Sequence, residues 1–256
     1  MGIKTALKKA LNFLVPNKKE PDFTSAIIVA GGSSTRLGGG VSKQMLELGG
    51  IPVVVRSLLA FENTPEINEI IVVAKADEAT LYHEFKRKYA ISKLKKVVTG
   101  GETRQKSVAR GFAVISEKSR YVAVHDGARC LITPEEISAV CGAAFTYGAA
   151  TAAMTVTDTV KLADKNGFIE KTIDRDRVWL AATPQIFKTE VYTAALALCG
   201  KNNVEVTDDN SMAEYIGHPV KLVKCSKDNI KITTKEDVER VSAILKKRVQ
   251  KGESAQ

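Results

Sequence analysis

The stretch Ala26–Gln44, AIIVAGGSSTRLGGGVSKQ, carries the densest chemistry in the chain. An apolar run enters a glycine-rich loop, where Gly31 and Gly32 let the backbone approach a ligand closely and permit a positive φ. Peptide N–H groups presented in this way cradle phosphate oxygens. Arg36 and Lys43 follow, a planar guanidinium that bridges two oxygens and a mobile ammonium point charge. Together they suit a polyphosphate. The loop matches neither G-x-x-x-x-G-K-[ST] nor G-x-G-x-x-G. Its alternative reading is a tight strand-to-helix turn with solvated cations.

Further candidates lie downstream. Gly100-Gly101-Glu102-Thr103-Arg104 also follows an apolar run and precedes a helical pattern, with Ser107 placed to donate to a base or ribose. The alternative there is a plain turn with Thr103 as N-cap. In Val124-His125-Asp126-Gly127-Ala128-Arg129, Asp126 ends an apolar strand, where an unpaired carboxylate is costly. A hydroxyl, Arg129 or a Mg²⁺–phosphate cluster would satisfy it, and His125 is expected to be a packed strand-end residue. Ala182-Thr183-Pro184-Gln185 and Asp228-Asn229-Ile230-Lys231 come later, with Lys231 just before the last helix. Asp208 and Asp209 are expected to cap a short helix over 211–216 in preference to holding a metal.

The elements that must position these residues alternate along the chain. Strands are expected at 26–30, 70–74, 97–99, 121–124, 149–156 and 220–223, and helices at 53–62, 78–89, 104–115, 134–145, 189–198 and about 235–248. Short apolar strands alternating with amphipathic helices predict a mainly parallel sheet covered by helices. The glycine loops and Asp126 would then share its carboxyl edge, where ligands bind in such folds. The interval 157–177, TDTVKLADKNGFIEKTIDRDR, breaks the rhythm. Two alternating segments, 159–162 and 168–173, flank a turn signal at 164–167, so an inserted β-hairpin is expected. A hairpin is marginal alone and must pack on its own domain or on a second subunit.

Composition excludes several classes. The chain has 256 residues, 44% hydrophobic and 26% charged, as in ordinary globular proteins. No apolar run approaches the ~20 residues that span a bilayer, so no stable membrane association is expected. The formal charge is +9, which favours anionic partners. Residues 1–20 hold five lysines against Glu20, however, which leaves an unremarkable +5 for the rest. A nucleic-acid-binding module is therefore disfavoured. Residues 1–21 form a basic extension, with a helical pattern over 3–15, ahead of one domain over 22–256. Cys130, Cys141, Cys199 and Cys225 fit no zinc spacing, and scattered thiols without an export signal suit a cytoplasmic protein.

The ordered set V-A-G-G-S-S-T-R-L-G with S-K-Q, G-G-E-T-R-Q-K-S-V, V-H-D-G-A-R, T-P-Q and D-N-I-K-I-T resembles the 2-C-methyl-D-erythritol 4-phosphate cytidylyltransferase family over about residues 25–245. The resemblance implies a Rossmann-like nucleotidyltransferase fold whose β-hairpin arm, here 157–177, exchanges across a homodimer. It implies that the polyol phosphate and CTP, with Mg²⁺, give the CDP-linked alcohol and pyrophosphate. Arg36 and Lys43 match the pair that stabilises the CTP phosphates at the transition state. Ala30, Gly31, Gly32, Gly101 and Ser107 match cytidine-binding positions. Asp126, Arg129, Thr159 and Thr183 fall where the family contacts substrate or nucleotide. Lys231 and Arg175 match the residues that position the attacking phosphate, Arg175 arriving on the exchanged arm. The metal ligands stay open.

Two departures are local: Cys130 stands where many members have proline, and Asp208-Asp209-Asn210 replaces a pattern ending in a small residue. A ribitol 5-phosphate cytidylyltransferase is the nearest alternative, disfavoured by the T-R-Q-K-S and T-I-D-R-D-R segments.

Overall fold

The protein is described by a computed structural model, which covers residues 22–32 and 42–250. The basic extension and Arg36 lie outside the described residues. The elements follow in the order β1 (Thr24–Val29), β2 (Glu47–Leu48), β3 (Ile51–Pro52), α1 (Val53–Glu62), β4 (Ile67–Ala74), α2 (Ala79–Lys88), β5 (Leu94–Thr99), α3 (Arg104–Phe112), β6 (Tyr121–Asp126) and α4 (Pro134–Tyr147). They continue as β7 (Ala149–Thr155), β8 (Val160–Ala163), β9 (Ile169–Ile173), β10 (Trp179–Lys188), α5 (Thr189–Lys201), α6 (Asp209–Tyr215), β11 (Lys221–Lys224) and α7 (Lys235–Gln250).

Seven strands form one sheet in the order β11-β7-β10-β6-β1-β4-β5. The pairs β1–β4, β1–β6, β4–β5 and β11–β7 are parallel, whereas β10 runs against both neighbours. Central β1 is apolar on both faces because both faces are covered. Ile28 packs with Val54, Leu58 and Phe61 on one side, and Ile27 with Val108, Val124, Phe187 and Tyr192 on the other. Burial of each such side chain contributes roughly 1.5–3 kcal/mol.

Local chemistry starts and stops the helices. Thr133 and Glu136 form a reciprocal capping box at the start of α4, Pro134 takes its first turn, and Gly148 ends it in left-handed backbone. Thr103 caps α3 through its side chain, the capping role that the sequence offered as the alternative for this stretch. A Cβ on Gly111 would lie 2.7 Å from Ile27 Cγ2, so glycine lets α3 settle close to the sheet.

The structure corrects the expected element set in two places. Strand β10 was not among the expected strands, because Thr183-Pro184-Gln185 has the texture of a loop. Its ladder to β7 shifts register between Ala181 and Gln185, across Pro184, which has no N–H to donate. The short β2–β3 pair was also not expected. The inserted hairpin is present: β8 and β9 pair antiparallel in their own two-stranded sheet. Asp164 accepts from the N–H groups of Asn166 and Phe168 at its tip. Phe168 and Ile169 stand 72% and 65% exposed there, an arrangement an isolated chain does not favour.

Candidate active site

At the carboxyl edge, three loops are stitched into one wall. The Ile232 N–H donates to the Ala128 carbonyl at 2.9 Å, and Asn229 Nδ2 donates to the Thr183 carbonyl at 3.0 Å. The segments containing Asp126, Thr183 and Lys231, far apart in sequence, thereby meet. The wall borders a cavity of about 390 Å³, lined among others by Gly31, Gly32, Lys43, Gly101, Asp126 and Lys231.

Of the three cavity glycines only Gly101 is required by space, because a Cβ at Gly31 or Gly32 would meet ordinary contacts at 3.4 and 3.8 Å. Neither Gly31 nor Gly32 adopts the left-handed backbone that the sequence had permitted. A Cβ on Gly101 would sit 2.7 Å from Lys106 Cβ, so that position admits no side chain without movement. The Ser107 hydroxyl folds back on the same peptide, accepting from the Gly101 N–H at 3.0 Å and donating to its carbonyl at 3.2 Å. It lines the cavity and also holds the loop shape. Ala30 is fully buried beside these residues.

Asp126 is the electrostatic centre. Lys231 Nζ lies 2.9 Å from Oδ2, Arg129 Nε 3.6 Å from the same oxygen, and Arg104 Nε 3.4 Å from Oδ1. Burial alone would push its carboxyl up. Lys231, Arg104 and Arg129 outweigh burial and hold it well below the usual carboxylate range. Arg129 also donates to the Asn229 carbonyl at 2.7 Å. It lines a second cavity of about 420 Å³ with Thr157, Asp158, Lys227, Lys231 and Arg240. Lys231 lines both cavities.

His125 is packed and fully buried, as the sequence suggested. Burial pushes its pKa down to about 3. Its Nε2 faces the Arg129 carbonyl at 3.3 Å, which only accepts, so the single ring proton sits there. The Thr183 hydroxyl, 3.0 Å from Nδ1, then donates to the ring and accepts from the Asp126 N–H. A neutral imidazole thus sets the hydroxyl that anchors Asp126. Because the folded state binds this proton less readily than the unfolded chain, stability falls as pH drops below about 6.5. Between pH 6.5 and 5 the expected loss is about 2 kcal/mol. Urea unfolding at pH 7 and pH 5 should show it in the native chain and not in His125→Gln; equal losses in both would remove His125 as the cause.

Other sequence candidates fall elsewhere. Thr159 is exposed in the approach to the hairpin. Arg175 is exposed at the hairpin's return, where Nη1 donates to the Thr157 carbonyl at 2.8 Å. Neither is among the described residues that line the cavities of this chain. Asp208 caps α6, accepting from the Ser211 N–H at 3.0 Å. Asp209 departs from the expected capping role and pairs with Arg104 at 2.7 Å. Gln44, buried in the cavity wall, and Arg104 were not singled out from sequence. The G-G-E-T-R string contained Arg104, but its partner lies 105 residues away.

Among the described residues, no group of three or more His, Cys, Asp or Glu is placed to hold a metal ion, and no helix is long and apolar enough to cross a membrane. All four cysteines are buried free thiols.

The sequence profile of the 2-C-methyl-D-erythritol 4-phosphate cytidylyltransferase family matches residues 24–247. The enzyme of that name from Pelotomaculum thermopropionicum is 40% identical over 228 residues, covering 89% of this chain and 96% of its own. The one from Caldanaerobacter subterraneus is 41% identical over 224 residues, covering 87% and 99%. The crystal structure of the 4-diphosphocytidyl-2C-methyl-D-erythritol synthase of Anaerococcus prevotii superposes with a TM-score of 0.79 at 31% identity, over 89% of this chain and all of that one.

Proposed function

The chain belongs to the 2-C-methyl-D-erythritol 4-phosphate cytidylyltransferase family, and from that premise we propose how its own residues carry out the transfer. The enzyme converts 2-C-methyl-D-erythritol 4-phosphate and CTP to 4-diphosphocytidyl-2-C-methyl-D-erythritol and pyrophosphate. CTP occupies the 390 Å³ cavity, with cytidine against Gly31, Gly32, Gly101 and Ser107 and the triphosphate toward Lys43; Ala30 and Arg36 are assigned to the same ligand by their match to the family's positions. The polyol phosphate occupies the 420 Å³ cavity beside it, where Arg129 and Lys231 are joined by Lys227 and Arg240. The observation that carries this reading is Lys231, shared by both cavities and held by Asp126.

The attacking group is a phosphate monoester, already anionic near neutral pH, so no strong general base is needed. The buried, neutral His125 is consistent with that. A lone pair on the polyol phosphate oxygen forms the new bond to the α-phosphorus, in line with the bond that breaks to release pyrophosphate. The barrier is the approach of two anions, and fixed cations lower it by positioning and electrostatics. Lys231 holds the incoming phosphate, and Lys43 with Arg36 takes up charge developing on pyrophosphate. Arg175 and Thr159 reach the neighbouring active site on the exchanged hairpin of a homodimer.

Mg²⁺ fits here as an ion carried mainly by the triphosphate. The cavity offers Asp126 but no cage of several carboxylates, and Mg²⁺ commonly binds through one or two carboxylates plus substrate phosphates. When bound it would neutralise phosphate oxygens. Four reduced, buried cysteines suit a cytoplasmic enzyme.

Pyrophosphate release tests the reading when measured with each nucleoside triphosphate against the methylerythritol and ribitol phosphates. The expected result is release with CTP and the methylerythritol phosphate, abolished by chelator. Faster turnover of the ribitol ester would overturn the substrate assignment.

A further inference from the structure

Behind the cavity, a chain of alternating charges runs into the core. Asp209 is 1% exposed and is not among the described residues that line the cavity. Its Oδ1 accepts from the Tyr192 hydroxyl at 2.8 Å, and its N–H donates to Gln185 Oε1 at 2.9 Å. Its Oδ2 accepts from Arg104 Nη1 at 2.7 Å. The Nε of the same guanidinium reaches Asp126 Oδ1 at 3.4 Å, and the other oxygen of Asp126 holds Lys231 at 2.9 Å. Tyr192 packs between Phe112 and Phe187 at ring distances of 4.9 and 5.5 Å, so the far end is anchored in the sheet's apolar layer.

We propose that Asp209 is a positioning residue for cytidylyl transfer, acting through Arg104 and Asp126 on Lys231. An arginine at a cavity wall has several rotamers within thermal reach. The buried carboxylate of Asp209 selects one of them. Arg104, so held, engages one oxygen of Asp126 and fixes the plane of that carboxylate, which leaves the other oxygen aimed at the ammonium of Lys231. Burial would lower the Arg104 pKa, but Asp209 and Asp126 outweigh it and hold the guanidinium charged above its ordinary range. The fixed charge thus originates where water does not screen it. This inference rests on the role given to Lys231 above.

A double-mutant cycle on the full-length chain tests it, with single-turnover rates measured under enzyme excess so that slow variants remain readable. Asp209→Asn keeps the shape and removes the charge; it should slow the chemical step on the order of tenfold in the native background. In the Lys231→Ala background the same change should cost less than about twofold, because the group through which Asp209 acts is gone. A residue that only supports the fold would lose the same factor in both backgrounds, and equal factors overturn the proposal. Should Asp209→Asn fail to fold, Tyr192→Phe runs the same cycle with a smaller expected loss, and equal factors there overturn it as well. A native chain that releases no pyrophosphate from CTP would instead sink the proposed function.

Discussion

Replacement of Lys43 by alanine should lower turnover by about 10²–10³, the loss typical of one preorganised charge donor at a developing oxyanion. Lys43 lies in the turn that follows the glycine loop, half-buried in the cavity wall beside Gln44. The reaction brings an anionic nucleophile onto a triphosphate and expels pyrophosphate, so negative charge concentrates as the transition state forms. An ammonium already in place interacts with that charge without solvent reorganisation. The effect should fall mainly on kcat, because the contacts proposed between CTP and the glycine loops are left in place. Lys43→Arg should recover only part of the activity, since a planar fork does not place its charge where a compact ammonium does. Steady-state pyrophosphate release gives both parameters. Turnover of Lys43→Ala within a few-fold of the native enzyme would remove Lys43 from the transition state.

Mixing two inactive variants should restore activity. Arg175 is not among the described residues lining either cavity of its own chain, and the hairpin bearing it exposes Leu162, Phe168 and Ile169. If the hairpins exchange, each active site combines Lys43 of one subunit with Arg175 of the partner subunit. Lys43→Ala and Arg175→Ala homodimers are then defective at both sites. A mixed dimer has one doubly altered site and one intact site. With random reassociation, about a quarter of all sites become native, a gain of one to two orders of magnitude over either variant alone. Co-purification on two different tags isolates the mixed dimers, whose activity per dimer should approach half that of the native enzyme. Verified mixed dimers with no recovery would show that each subunit builds its site alone.

Much of the cavity lining was legible in the sequence. Glycine at 31, 32 and 101, cations at 43 and 231, and a carboxylate at the end of β6 are local signals, because strand-to-loop transitions are written in contiguous residues. Helix starts were legible for the same reason: those at 53, 104, 134 and 189 fall where the sequence places them, and Val53–Glu62 was bounded to the residue. Strand β10 was hidden because its Thr-Pro-Gln centre has loop character. Only its neighbours β6 and β7 make it a strand, since sheet pairing is a long-range interaction that overrides local preference. Asp209 was given the wrong role for a related reason, its neighbour Asp208 having the same capping chemistry.

The sequence alone determined which charges and glycines the chain would bring to one sheet edge, because alternating strands and helices force the loops there. Only the tertiary structure decided that Asp126 is a shared anchor for Lys231, Arg129 and Arg104, that Lys231 stands between two cavities, and that Asp209 lies behind them. Charge pairing acts through space, and the partners here stand up to 105 residues apart. No local pattern encodes such a distance.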